Sequence, residues 1–296
     1  MRAHSLPQTN RTSTASVLTF PPTQMQKLLL PREHGSWGLW ALPLISGAMV
    51  GWISGKGQTP ASLVLFWFCL AAACAFLVYQ PLEVLLDLSP LKARSKTERR
   101  LAWSWVFAAT AVGMLSMVEL VRLGRGRVLL FATLGLACFG VRWLFGKTRA
   151  LREGKQIVGA LGLTSAAAGA YYVTTGRIDA TALLLWGASW LFASGQIEFV
   201  QLCISTASAK SRLEKFAAGR KVFYLHLLLV VASIAAAEAG LVSILMGIAF
   251  IPAMLRLIAW GAARPHKINF HVLGFAELSQ SFLFSGLLVA AFVIRG

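Results

Sequence analysis

Residues 222–260 read VFYLHLLLVVASIAAAEAGLVSILMGIAFIPAMLRLIAW, almost forty residues in which only His226, Glu238 and Arg256 can carry charge near neutral pH. A helix crosses the hydrocarbon core of a bilayer in about 20 residues. The run is therefore about twice too long for one crossing and far too apolar for water. It must turn back on itself, and Glu238, Ala239 and Gly240 are the residues suited to that turn. The stretch predicts two membrane helices, Val222 to Ala239 and Leu241 to Trp260, and makes the chain polytopic.

Working outward, seven more apolar runs follow the same pattern: Ser36 to Ser54, Ala61 to Leu86, Leu101 to Val121, Val128 to Phe145, Ile157 to Thr175, Thr181 to Ile204 and Val272 to Ile294. The expected fold is an all-α, polytopic transmembrane bundle of about nine helices. Composition agrees. The 296 residues are 57% hydrophobic and 13% charged, with a mean hydropathy of +0.67, whereas soluble domains carry about 25% charged residues. Residues 1–27, rich in Ser, Thr, Pro and Gln, cannot offset the entropy of ordering and read as a disordered cytoplasmic tail. Residues 28–296 form a single transmembrane domain.

The net charge of +17 would suggest nucleic acid in a soluble protein. Here its distribution points elsewhere. Lys and Arg gather before the first run (Arg2, Arg11, Lys27, Arg32), after the second (Lys92 to Arg100), after the fourth (Arg142 to Lys155), after the sixth (Lys210 to Lys221) and around the end of the eighth (Arg256, Arg264, Lys267). The alternate loops hold only Lys56, Arg122, Arg125, Arg127, Arg177 and Arg295. Basic residues accumulate in cytoplasmic loops, so the amino terminus is expected in the cytoplasm, the carboxyl terminus outside, and no nucleic-acid partner. Cys69, Cys74, Cys138 and Cys203 show no metal-ligand spacing and read as helix-packing residues.

Ionisable groups inside membrane helices cost about 2.5–3.5 kcal/mol each and need partners or water. Glu83, Asp87, Arg142, Glu198, His226, Arg256 and Glu277 all fall in the cytoplasmic third of their runs, which predicts a polar cavity open to that side. The opening segment Leu30-Pro31-Arg32-Glu33-His34-Gly35-Ser36-Trp37 places Arg32 and His34 at a helix amino terminus, which suits an anion. An interfacial anchor with Trp37 and Trp40 in the aromatic belt is the alternative.

Leu30 to Trp37, followed by Pro43, resembles the signature of the YwiC-like family of bacterial membrane proteins. This implies a bacterial plasma-membrane location but no particular chemistry. A more distant similarity is to the UbiA prenyltransferase superfamily, in which acidic motifs after the second and sixth helices hold Mg²⁺ against an isoprenoid diphosphate. Tyr79, Glu83 and Asp87 stand at the four-residue steps of the first motif, on one helix face. Arg94, Arg99 and Arg100 resemble the arginine-rich stretch that follows it. The resemblance implies Glu83 and Asp87 as metal ligands. It also implies Arg32, His34, Tyr79, Arg94, Arg99, Arg100, Arg142, Glu198, His226 and Glu277 as substrate-binding residues. The chain departs from the pattern at the second motif, where Glu198 is the only acid between Gln196 and Ala209. Three readings follow: a prenyltransferase-like enzyme or its remnant; a non-catalytic protein handling a lipid, quinone or solute; and an accessory subunit of a membrane complex.

Overall fold

The computed structural model describes residue 29 and residues 34–55, 61–89, 91, 93, 95–144, 152–207, 211–263 and 269–294, with backbone only for 34–36, 142, 152, 153 and 270. Among the described residues there are ten α-helices and no strand: α1 (His34–Ser54), α2 (Ala61–Leu85), α3 (Lys96–Arg122), α4 (Val128–Leu144), α5 (Arg152–Thr164), α6 (Ala166–Thr175), α7 (Ala180–Ser205), α8 (Arg212–Glu238), α9 (Ile244–Ala262) and α10 (Phe270–Val293). Eight spans are long and apolar enough to cross a membrane, and Val128–Val141 adds a shorter apolar one. Each of the nine apolar runs thus contains one of these apolar helical stretches. The tenth helix arises because the fifth run is interrupted at Ser165. There the hydroxyls of Thr164 and Ser165 donate back to the carbonyls of Ala160 and Gly162, both at 2.7 Å, a bonding mode that bends helices.

The turn in residues 222–260 lies where the sequence put it. α8 stops at Glu238, Gly240 has φ +72°, and the Ser243 side chain caps α9 by accepting from the Leu245 amide. Other starts use the same device. Ser95 and Glu98 form a reciprocal capping box at α3, Ser211 caps α8, and Asn269 caps α10. Each satisfies amides that a helix end leaves without partners.

α2 and α3 form one hairpin, and α8, α9 and α10 pack in succession. Between these groups lie α1 and α6. Residues Ala166 to Thr174 of α6 are all buried, and α1 packs on α6 along one side and on α10 along another. The α1–α6 crossing is made by small residues. A Cβ on Gly51 would lie 2.0 Å from the Thr174 hydroxyl oxygen, so the two backbones can approach only because glycine is there. Membrane helices associate through such packing, since lipid removes the hydrophobic drive between them. Large apolar side chains such as Phe107, Leu136 and Leu228 are exposed on the outside of the bundle, as a lipid-facing surface requires.

On the side opposite the basic loops, the α3–α4 connection is tied to the end of α6. Arg125 Nε donates to the Val173 carbonyl at 2.8 Å, and the Arg127 amide donates to the Tyr172 hydroxyl oxygen at 3.1 Å. Asp179 accepts from the Tyr171 hydroxyl at 3.1 Å and from the Ala182 amide at 3.2 Å. The four cysteines are free thiols within the helices.

Candidate functional site

At the end of α2 the Tyr79 hydroxyl donates to Glu83 Oε1 at 2.8 Å, and Glu83 is buried. Tyr79 meets Phe139 of α4 edge-on, while one turn back Phe76 stacks on Trp40 and meets Trp37 of α1 edge-on. The four-residue step does not continue. The helix ends at Leu85, and the amides of Leu88 and Asp87 fold back to the carbonyls of Glu83 and Val84, the pattern of a Schellman stop. Asp87 takes the left-handed position with φ +57° and is exposed. Glu83 and Asp87 therefore do not share a helix face, which corrects the expectation drawn from their spacing. One carboxylate engaged by a tyrosine and one turned to the exterior do not fit a Mg²⁺ site by themselves. Among the described residues no group of three or more His, Cys, Asp and Glu is placed to hold a metal. Arg99 and Arg100 are exposed on the first turn of α3. Arg32 and Arg94 lie outside the described residues, as do the side chains of His34 and Arg142.

A second polar group is built inside the bundle by α7, α8, α9 and α10. Arg256 of α9 forms an ion pair with Glu277 of α10, their side chains only 13% and 11% exposed. The guanidinium also lies 4.0 Å from the centroid of the Phe199 ring of α7. Gln196, one turn before Phe199, donates to the Glu277 carbonyl at 3.2 Å, and the Ser281 hydroxyl lies 3.1 Å from Gln196 Oε1. His226 of α8 is buried with Nδ1 2.9 Å from the Val222 carbonyl. A carbonyl only accepts, so Nδ1 carries the proton and Nε2 presents its lone pair. That nitrogen faces Gly195 of α7, where a Cβ would sit 3.0 Å away. At the rim, Glu198 Oε1 is 3.7 Å from the exposed Lys221 ammonium. Below it, Lys215 Nζ donates to the carbonyls of Trp260 and Ala263 at 2.8 and 3.1 Å, closing the end of α9.

Five polar atoms of this group are buried without a partner among the described residues: Arg256 Nε and Nη2, Glu277 Oε2, Glu198 Oε2 and Gln280 Oε1. Buried guanidinium donors and carboxylate acceptors left in this state cost about 1–3 kcal/mol each or more. A stable site must satisfy them with a polar ligand or with water. A crevice of about 10 Å³, room for roughly one water, adjoins the group between α1, α7 and α10 and is lined by Gly38, Pro43, Ser189 and Ser281 among others. Among the described residues, the buried ionisable side chains are thus held in part by one another and by backbone.

Residues 30–174 match the model of the family described as YwiC-like protein. Over that stretch the chain is similar to the YwiC-like family. No curated protein and no solved structure matches the chain. The YwiC-like stretch ends within α6, so it contains α1 to α5 and the Tyr79–Glu83 pair, while the Arg256–Glu277 group lies beyond it. The two polar groups flank α1. Trp37 and Trp40 face α2, whereas Gly38 faces Leu278 of α10. Of the residues singled out in sequence, Glu277 pairs with Arg256, Glu198 with Lys221 and Tyr79 with Glu83, while His226 packs on Gly195. Arg256, Gln196, Phe199 and Ser281 were not among the binding candidates. A lone arginine in an apolar run was the available signal for Arg256, and a neighbour in space had no signal at all.

Proposed function

We propose that this YwiC-like protein is a non-catalytic, multi-pass membrane protein that binds an anionic group between α7 and α10, with Arg256 as the anchor. The observation that carries the reading is a buried guanidinium with two donor nitrogens unpartnered among the described residues. Guanidinium forks suit phosphates and carboxylates, and ionisable groups inside membrane bundles mark substrate pathways. The anion is either the headgroup of an isoprenoid or lipid diphosphate or a small free anion. The loop charges support a plasma-membrane location with the basic face in the cytoplasm. Thermal unfolding of the purified full chain, with pyrophosphate and with geranylgeranyl diphosphate, tests this. Stabilisation that persists without Mg²⁺, survives Glu83→Gln and disappears in Arg256→Gln is expected. A response to the prenylated compound alone identifies a lipid headgroup, and an equal response to both identifies a free anion. No shift with either compound overturns the reading.

The prenyltransferase-like reading keeps one supporting observation, the Glu83–Tyr79 hydrogen bond on the helix that precedes the arginines of α3. It requires instead that stabilisation depend on Mg²⁺ and vanish in Glu83→Gln.

A further inference from the structure

Arg256 and Glu277 are joined through Nη1 and Oε1, and the atoms this pairing leaves over define what else can bind. On the arginine they are Nε and Nη2, both buried and without a partner among the described residues. Their N–H bonds share one edge of the planar guanidinium, the fork that meets two oxygens of a single oxyanion. The Phe199 ring, 4.0 Å from the guanidinium carbon, covers a face and leaves that edge as the approach. On the glutamate the atom left over is Oε2, a buried acceptor in the same state. One turn along α10, Gln280 Nε2 donates to the Pro252 carbonyl at 3.1 Å. Its Oε1 is therefore an acceptor, and it too is buried and unpartnered among the described residues. A simple anion answers half of this set. It meets the fork, leaves both acceptors unmet, and brings a second negative charge beside Glu277, which repels it.

We propose that the group bound at Arg256 is a compact zwitterion, with its oxyanion on the Nε–Nη2 fork and a primary ammonium on Glu277 Oε2 and Gln280 Oε1. The inference rests on the anion-binding reading for Arg256 as anchor and deepens it by naming the second charge. Such a ligand meets all four leftover atoms and adds no net charge to the bundle, where an uncompensated charge is costly. The cation must carry N–H bonds, because Oε2 and Oε1 each need a donor as well as a positive charge. The crevice beside Ser281 has room for roughly one water, so the two charged ends must sit only a few bonds apart. An aminoethyl phosphate has this chemistry, either free or as the headgroup of a lipid.

The test is thermal unfolding of the purified full chain in maltoside detergent, titrated with O-phosphoethanolamine and with ethyl phosphate, the same monoester without the ammonium. Half-maximal stabilisation of the wild type should need roughly ten- to hundredfold less O-phosphoethanolamine, the size of a hydrogen bond between charged groups. Glu277→Gln should move the two compounds in opposite directions, weakening O-phosphoethanolamine and strengthening ethyl phosphate, which a general loss of structure would not do. The same comparison between dihexanoyl phosphatidylethanolamine and dihexanoyl phosphatidylcholine, whose quaternary ammonium has no N–H, separates the sources. Preference for the ethanolamine lipid with no response to the free compound identifies a headgroup, and comparable responses to both identify a free zwitterion. If the wild type responds equally to O-phosphoethanolamine and ethyl phosphate, and equally to the two lipids, the zwitterion is overturned and the anion reading stands. If Glu277→Gln weakens both phosphates alike, the ammonium is not on Glu277 and the proposal likewise fails. Should that variant not fold, the wild-type comparisons decide. Stabilisation by O-phosphoethanolamine or its lipid with none by pyrophosphate or geranylgeranyl diphosphate removes the simple anion and leaves the zwitterion. No response to any of these compounds overturns both.

Discussion

A Cβ built on Gly47 lies 1.9 Å from the backbone oxygen of Ala167. That single approach fixes how close α1 comes to α6, and the backbone there cannot step aside as a flexible side chain would. Gly47→Ala is expected to cost about 3 kcal/mol, the upper part of the range for overpacking a close-packed site. Gly187→Ala on α7 is the matched control, since nothing lies within 4 Å of its added methyl. It should gain about 0.5–1 kcal/mol from helix propensity. Reversible unfolding by sodium dodecyl sulfate in lipid–detergent micelles reads both, and equal effects for the two variants would contradict the close crossing.

Removing one member of the Arg256–Glu277 pair leaves a charge with no counterpart in the bundle. Arg256→Met alone is expected to destabilise by about 3–5 kcal/mol, and the double variant Arg256→Met/Glu277→Leu by much less. The same titration distinguishes them. A double variant as unstable as the single one would show that the pair is not the relevant neighbour.

Lys215 is buried against the Trp260 ring, its ammonium 4.5 Å from the centroid, and donates to two carbonyls at the end of α9. Lys215→Met should cost about 1–3 kcal/mol by leaving those carbonyls unmet. Increased amide exchange at Ala259 to Ala263, with the α1–α6 region unchanged, is the local signature that checks it.

Asp87 tests whether the end of α2 is a stop signal or a ligand position. Glycine adopts the left-handed conformation without the roughly 1–2 kcal/mol that other residues incur. Asp87→Gly should therefore raise the melting temperature, with the same gain in the presence and absence of Mg²⁺. Asp87→Ala should lower it. A gain that Mg²⁺ abolishes would restore Asp87 as a metal ligand.

Much of the fold was legible because lipid enforces simple rules. Run length gave the apolar helices, and Gly240 marked the turn between α8 and α9. What failed was rotation and termination. Leu86 and Asp87 read as continuing helix, although Pro90 three residues beyond Asp87 is a stop signal of the kind that follows a Schellman end. The repeat of Gly47, Gly51 and Gly55 at every fourth position was likewise visible as a small-residue stripe, yet nothing in the string says that its partner is Ala167. Glu198, His226 and Glu277 were found because ionisable residues are conspicuous in apolar runs. The pairing of Glu277 with Arg256 depends on how α9 and α10 rotate about their axes, which packing decides and hydropathy does not.

α4 carries one more consequence. Its apolar stretch, Val128–Val141, rises only about 21 Å at 1.5 Å per residue, against roughly 30 Å of hydrocarbon. Acyl chains beside this helix must compress to meet it, at a fraction of a kcal/mol per ångström. The protein therefore wears a dimple in its annulus, which favours short-chain lipids on one flank and biases which neighbours settle there.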